Sequence, residues 1–140
     1  MTPELVFVYG TLTDDSQVAE LLDSYRFVGN ADCLGLSRID GRYPTLVPGE
    51  RVSGRLLETS ERERLDRYEG VESGLYHRFS LPVKPESGVP VEHDEASVYI
   101  GAPAGLGIDP SPEQHWPRTG TFPERVDAYL SAHAVRLVKK

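Results

Sequence analysis

The chain has 140 residues, 39% of them apolar and 26% charged, which is typical of one globular domain with a buried core. Its formal net charge is −7, and its Lys and Arg residues are scattered among acids, so a nucleic-acid partner or an anionic membrane is disfavoured. No apolar stretch approaches the roughly 20 residues that a membrane span needs.

The cellular compartment is predicted from two features of the chain. The N-terminus lacks the basic and then apolar segment of a signal peptide, and Cys33 is the only cysteine, so no internal disulfide can form. Both features predict a cytoplasmic protein. Because no internal repeat or low-complexity linker divides the sequence, we expect residues 1–140 to form a single domain.

The chain begins with a predicted strand and a short helix. Within residues 4–9, the positions from Leu5 to Tyr9 are apolar on both faces, which predicts an interior strand. Asp14–Ser24 predicts a helix whose side chains Val18, Leu21 and Leu22 face the core.

Further strands are expected before residue 60. Tyr25–Leu36 predicts a strand with a turn near Gly29–Asn30. Two shorter strands, from Tyr43 and from Arg51, are predicted on either side of a break at Pro48–Gly49.

The next helix has clear boundary signals. Ser60 followed by Glu63 fits a capping box, and Gly70 is a natural C-terminal stop. Leu65 and Tyr68 would mark its buried side.

Two more strands are predicted over residues 75–83 and 95–101, joined by a polar hairpin loop over 84–94. Residues 101–120 are rich in Pro and Gly and predict irregular structure. This segment, which contains Trp116, could pack over an edge of the core or form a lid over a pocket.

A C-terminal helix is predicted after a second capping box, formed by Thr121 and Glu124. Its apolar positions recur at helical spacing: Phe122, Val126, Tyr129, Leu130, His133 and Leu137. The whole pattern predicts a mixed α/β or α+β fold, in which a small, curled, barrel-like sheet is accompanied by a few short helices.

The first candidate site is the abrupt end of the opening strand at Tyr9-Gly10-Thr11-Leu12. A glycine there allows a sharp bend or a close approach of the backbone. The simpler interpretation is an ordinary turn at a strand end. The alternative is a turn that points successive N–H groups at a carboxylate or an oxyanion.

The second candidate is Glu69, at the predicted C-terminus of the helix after Ser60. Helix carbonyl dipoles there would disfavour a negative charge, and a carboxyl group with a raised pKa is a better general base near neutral pH. A solvated surface glutamate is the competing interpretation, and Glu72 is the nearby rival.

Other catalytic classes find little support. The four histidines, at positions 77, 93, 115 and 133, show no metal-ligand spacing among themselves or with Cys33. The serines lack the Gly-x-Ser-x-Gly pattern. We therefore predict no metal site, and what remains is a carboxylate and a backbone turn.

Together, the stretches VFVYGTL (6–12) and LDRYEGVESGLYHR (65–78) resemble the gamma-glutamylcyclotransferase-like superfamily. The closer likeness is to the small branch that includes gamma-glutamylamine cyclotransferase and bacterial relatives. YPTLVPG (43–49) and VSGRLLE (52–58) also look like stretches of that branch, and the resemblance spans roughly residues 4–100.

The resemblance implies a curled, barrel-like sheet and a catalytic role for Glu69. It implies substrate binding by Tyr9, Gly10, Thr11 and Leu12. Tyr76 and Arg78 follow as substrate-site residues, although a structural role for Arg78, at the helix end, is an equal alternative.

The sequence departs from the pattern of the branch at two positions. Arg55 stands where Glu is common, and Leu57 stands where an aromatic residue is common. Thr11 replaces the Ser of the gamma-glutamylcyclotransferases proper, as is usual in the amine-specific branch. These differences concern the substrate more than the fold.

The reaction implied by the resemblance is attack of a gamma-glutamyl α-amine on its own side-chain carbonyl. It would release 5-oxoproline and an amine or amino acid, without a cofactor. Two alternatives remain: a non-catalytic domain that binds a small ligand, and an enzyme that removes a different gamma-glutamyl-like group. The leaving group and the oligomeric state are not predicted.

Overall fold

The strands of the described residues form one sheet that closes into a six-stranded barrel. The computed structural model describes residues 3–40, 43–85, 94–108, 114–116 and 119–140. The strands are β1 (Glu4–Val8), β2 (Arg26–Ile39), β3 (Thr45–Thr59), β4 (His77–Pro85), β5 (Glu95–Ile100) and β6 (Arg136–Lys139). The helices within these ranges are α1 (Asp15–Leu21), α2 (Arg62–Tyr68) and α3 (Phe122–Ala132), with short 3-10 helices at Thr11–Thr13 and Pro103–Leu106.

The strand order around the barrel is β1-β3-β2-β6-β4-β5, with β5 closing onto β1. The β1–β5 and β4–β6 pairs are parallel, and the other pairs are antiparallel. The predicted fold class, a mixed and barrel-like sheet with a few short helices, is confirmed.

β1 is buried on both faces, as predicted, because it has a neighbouring strand on each edge and a packed layer on each side. Leu5 and Phe7 join a cluster that includes side chains of α3. Val6 and Val8 join a second cluster, which covers the opposite face with side chains of α1 and α2. The alternation of side chains along a strand therefore places β1 between two apolar layers.

The breaks predicted within β2 and β3 are wrong. The chain runs through Gly29–Asn30 as a paired strand, with a bulge at Val28, where the register shifts between Phe27 and Gly29. It also continues through Pro48–Gly49, where a Cβ on Gly49 would lie 2.0 Å from the Ser37 Oγ. Glycine permits this close strand contact, so the Pro-Gly pair bends a continuous strand instead of ending it.

Two predictions about α2 are also wrong. Its N-cap is Glu61, without a side-chain cap, so Ser60 and Glu63 form no capping box. The Glu61 carboxylate instead accepts backbone N–H groups of Asp23 and Ser24, at 3.3 and 2.6 Å. Leu65 is fully buried as predicted, but the Tyr68 side chain is 49% exposed.

At the C-terminal end, the capping box at Thr121 is confirmed, but the helix is shorter than predicted. α3 ends at Ala132, and Leu137 lies in β6 with its side chain fully buried. Ala134 takes a positive φ of 49° between the two elements. The apolar spacing continued past the helix because Leu137 is a core residue of a strand.

The described part of residues 101–120 packs against the core. Trp116 is 3% exposed, and its ring meets those of Phe122 and Tyr129 edge-on at centroid distances of 6.2 and 5.3 Å. This agrees with the packing interpretation for Trp116. Most of the loop predicted over residues 84–94 lies outside the described residues, as do 109–113 and 117–118.

Candidate functional site

A cavity of about 240 Å³ lies where β1 ends. Such a volume suits a small metabolite. Its walls come from the end of β1 and the following turn, the residues just before β3, the end of α2, the residues just before β4, and the strand β5. The lining residues are Phe7, Val8, Tyr9, Gly10, Thr11, Leu12, Tyr43, Pro44, Tyr68, Glu69, Leu75, Tyr76 and Tyr99. Both candidate stretches therefore meet in one cavity.

The turn after β1 is held by its own carbonyl groups. The Thr13 N–H and Oγ1 both donate to the Gly10 carbonyl, at 3.0 and 2.7 Å, and the Asp14 N–H donates to the Thr11 carbonyl at 3.2 Å. The N–H groups of Gly10, Thr11 and Leu12 have no acceptor among the described residues. Three consecutive donors at a cavity wall can bind an anionic group.

Glu69 caps the C-terminus of α2, and its N–H donates to the Leu65 carbonyl at 2.9 Å. Gly70 follows with a φ of 70°, which ends the helix as predicted. Burial raises the pKa of the Glu69 carboxyl group from 4.5 to about 7. The expected direction of the shift is found, but its cause is removal of water around the carboxyl group.

Three tyrosines form the wall around Glu69. Their hydroxyl groups donate to other protein atoms: Tyr9 to the Tyr99 carbonyl, Tyr76 to the Pro44 carbonyl at 2.7 Å, and Tyr99 to Asp66 Oδ1 at 2.6 Å. Burial raises the pKa of each tyrosine, and the second cause is the nearby Glu69 charge for Tyr9 and Tyr76 but the hydrogen bond to Asp66 for Tyr99. The wall is therefore rigid and neutral, and Glu69 has no hydrogen-bond partner for its carboxylate within the described chain.

The mouth of the cavity is flanked by Tyr43 and Tyr68, whose side chains are 46% and 49% exposed. They are the large apolar residues exposed most in the described structure. Tyr68 therefore lies on the side of α2 that faces the cavity mouth, and not on its buried side.

Arg78 lies outside the lining. Its Nη1 donates to both Asp66 oxygens, at 3.1 and 2.9 Å, so it ties β4 to α2 behind the cavity wall. This placement corresponds to the structural alternative considered for Arg78. The Asp66 carboxylate accepts hydrogen bonds from Arg78 and Tyr99, and Asp66 lies on the same helix face as Glu69.

Sequence reasoning did not assign several lining residues to the site. Tyr43 and Pro44 belong to the YPTLVPG stretch, whose resemblance to the family was a usable signal. Leu75 sits just before the Tyr76 that was assigned. Tyr99 carries no local signal, because only strand pairing brings it beside Tyr9.

Other chemistries gain no support from the described residues. No group of three His, Cys, Asp or Glu side chains there could hold a metal ion. Cys33 is buried, and burial raises the pKa of its thiol to about 12. None of the helices in the described ranges has the length and apolar character to cross a membrane.

Comparison with solved structures supports the fold. The chain is similar to At5g39720.1 from Arabidopsis thaliana, with 23% identity and a TM-score of 0.59 over 95% of this chain and 87% of that one. It is similar to a structure named gamma-glutamyl cyclotransferase, with 16% identity and a TM-score of 0.60 over 92% and 99%. An AIG2-like protein from Mus musculus gives 26% identity and a TM-score of 0.55 over 86% and 100%.

Comparison with sequence families identifies the chain more directly. A search of curated proteins gave no significant match. A family model described as gamma-glutamyl cyclotransferase, AIG2-like, matches residues 6–119 and so includes both candidate stretches. The resemblance found in the sequence is confirmed, and the chain belongs to the gamma-glutamyl cyclotransferase, AIG2-like family.

Proposed function

We propose that this protein is a gamma-glutamyl cyclotransferase-type enzyme, which converts a gamma-glutamyl compound into 5-oxoproline and a free amine or amino acid. One observation carries the proposal. Among the described lining residues Glu69 is the one carboxylate, and its pKa is raised to about 7. It shares the cavity with the N–H groups of Gly10, Thr11 and Leu12, which have no acceptor in the described part of the chain.

The reaction is an intramolecular aminolysis. The substrate's α-amine nitrogen bonds to its own side-chain carbonyl carbon, and the bond from that carbon to the leaving nitrogen then breaks. Glu69 takes a proton from the attacking ammonium group and returns one to the leaving nitrogen. A carboxyl group with a pKa near 7 exists in both forms at neutral pH, which suits this exchange.

The remaining lining groups bind and orient the substrate. The N–H groups of the turn hold the substrate carboxylate or the developing oxyanion. Tyr9 and Tyr76 form walls that keep the substrate folded, so that its amine meets its carbonyl. No cofactor takes part, since the nucleophile and the electrophile belong to one molecule.

The test is release of 5-oxoproline by the purified protein. Gamma-glutamyl amino acids, gamma-glutamyl-ε-lysine and gamma-glutamyl amines are offered to the wild type, to Glu69→Gln and to Glu72→Gln. Since general acid–base catalysis contributes about 10²–10⁴-fold, we expect Glu69→Gln to lose at least about 100-fold in kcat while remaining folded. Glu72 is exposed and lies outside the lining, so its variant is the matched control.

Two results would contradict the proposal. Full activity of Glu69→Gln would remove Glu69 from the acid–base role. Absence of release from every donor, with donors nevertheless raising the Tm of the folded wild type, would indicate a binding domain.

A further inference from the structure

The carbonyl group of Tyr9 is held by an arginine from another strand. Arg38, on β2, donates from Nη1 to the Tyr9 carbonyl oxygen at 2.6 Å. Its Nε contacts Asp40 Oδ1 at 2.7 Å, and the Asp40 side chain is 77% exposed. Because an exposed ion pair is strongly screened by water, Asp40 neutralises Arg38 only in part.

This hydrogen bond determines where the Gly10 N–H points. The chain has no cis peptide bond in its described residues, and in a planar trans peptide the C=O and N–H groups point in opposite directions. The Tyr9 C=O and the Gly10 N–H belong to one peptide unit. The Gly10 N–H is therefore directed away from Arg38, and Gly10 lines the cavity.

The same hydrogen bond also changes the strength of the donor. A hydrogen bond from a charged group is stronger than a neutral one, and it polarises the peptide that accepts it. The Gly10 N–H then becomes a better donor to an anion. The next peptide is polarised too, because the Gly10 carbonyl accepts both donors of Thr13.

The cavity needs a positive charge or strengthened N–H donors if it binds an anion. Among the described lining residues, Glu69 is the only charged side chain, and its ionised form would repel a substrate carboxylate. Arg38 supplies a positive charge one peptide unit away from the turn's donors, while its side chain stays 43% exposed.

We infer that Arg38 is a positioning residue that orients and polarises the Tyr9–Gly10 peptide so that the turn binds the α-carboxylate of the substrate. This inference rests on the proposed function. It assigns the substrate carboxylate, rather than the developing oxyanion, to the end of the turn that Arg38 holds.

The experiment measures binding without turnover, so it is separate from the activity test. The probes are 5-oxoproline, which carries the α-carboxylate, and its neutral carboxamide. Their Kd values are measured by calorimetry for the wild type, Arg38→Met, Arg38→Lys and Arg64→Met. Arg64 is the matched control: its side chain is 42% exposed and forms ion pairs with Asp23 and Glu61, outside the cavity lining.

We expect Arg38→Met to weaken binding of 5-oxoproline about 10-fold, which corresponds to about 1.4 kcal/mol, and to change carboxamide binding less than about 2-fold. Arg38→Lys should keep most of the affinity, because the charge is retained. Arg64→Met should bind both probes with the affinity of the wild type.

Three results would overturn the inference. They are an equal loss of affinity for both probes in Arg38→Met, no loss of affinity for either probe, or no binding of 5-oxoproline to the wild type. Release of 5-oxoproline that depends on Glu69 would leave the proposed function standing in each of these cases.

Discussion

At the scale of single residues, Glu69 is a half-buried residue whose carboxyl group lies in the cavity. It sits at a helix end, but the cavity walls remove water from it and give it no hydrogen-bond partner among the described residues. Since the charged form loses more solvation than the neutral form, folding favours the protonated acid. The same feature that suits Glu69 to proton transfer therefore costs stability.

This cost depends on pH in a defined direction. The pKa of Glu69 is raised from 4.5 to about 7, so its neutral form is favoured in the folded protein. The contribution of the neutral Glu69 carboxyl group to the free energy of unfolding is fully present below pH 4.5 and is lost as the pH rises through about 7. The Glu69→Gln protein cannot ionise there, so its advantage over the wild type should grow from about 1 kcal/mol at pH 5 to at most about 3 kcal/mol at pH 8.

Urea unfolding at both pH values measures this difference. Glu72→Gln is the control, because Glu72 is exposed, and its difference from the wild type should stay constant. A Glu69→Gln advantage that is the same at pH 5 and pH 8 would mean that the carboxyl group is not desolvated in the folded protein.

The residues of the site differ in how far the sequence could predict them. The abrupt strand end at Gly10 and the helix stop beside Glu69 are local signals, and both were visible in the sequence. Asp66 and Tyr99 were missed because their hydrogen bond joins residues 33 positions apart. Such a contact exists only once α2 packs on β5, and no local pattern encodes it.

At the scale of elements, the turn after β1 is fixed by its neighbouring strands. Arg55, on β3, donates to the Thr13 carbonyl at 2.8 Å, and its guanidinium lies 3.5 Å from the centre of the Phe27 ring. Arg55 is a departure from the family pattern, and its contacts show that it secures the far end of the turn.

Close packing of β1 on β3 depends on Gly54. A Cβ at this position would lie 2.3 Å from the Val8 carbonyl oxygen and 2.8 Å from the Phe7 ring. We expect Gly54→Ala to destabilise the protein by about 1–3 kcal/mol or more, because the clash involves backbone and a buried ring.

The measurement is urea unfolding, with Gly105→Ala as the control. A Cβ at Gly105 would meet no atom within 4 Å, so that variant should differ little from the wild type. A Gly54→Ala protein as stable as the wild type would show that β1 and β3 are free to separate.

The positions of most elements follow from local apolar patterns, but their ends do not. Pro48–Gly49 has the composition of a turn, yet the pairing of β2 with β3 holds it within a strand. Leu137 has helical spacing, yet β2 and β4 bind its segment as a strand. In both cases hydrogen bonds to distant strands override the local preference.

At the scale of the whole molecule, β6 closes the barrel between β2 and β4. Leu137 is fully buried there, and the Lys140 N–H donates to the Asn30 carbonyl at 3.0 Å. The Lys140 ammonium also lies 3.1 Å from the buried Asp32 carboxylate.

Deletion of residues 136–140 should therefore prevent stable folding. The deletion removes the hydrogen bonds of a strand with two neighbours and exposes core surface. The free energy of unfolding of a domain is usually only about 5–15 kcal/mol, which is too small to tolerate this loss. Near-UV circular dichroism measures the loss of tertiary packing, and dye binding measures the apolar surface that becomes exposed.

Lys140→Ala is the control for this deletion, because it removes an ion pair but keeps β6. This substitution should lower the free energy of unfolding by less than about 1 kcal/mol, since half of the lysine side chain is exposed. A deletion protein with the packing and stability of the wild type would mean that the barrel does not require β6.

Closure by β6 also has a consequence for synthesis of the chain on the ribosome. Every lining residue of the cavity lies between positions 7 and 99, whereas β6 begins at Arg136. The nascent chain thus carries all of the described cavity residues while β2 and β4 still have open edges, and open edges pair readily with other strands. Until β6 has been synthesised, the open edges of β2 and β4 therefore leave the nascent chain exposed to aggregation.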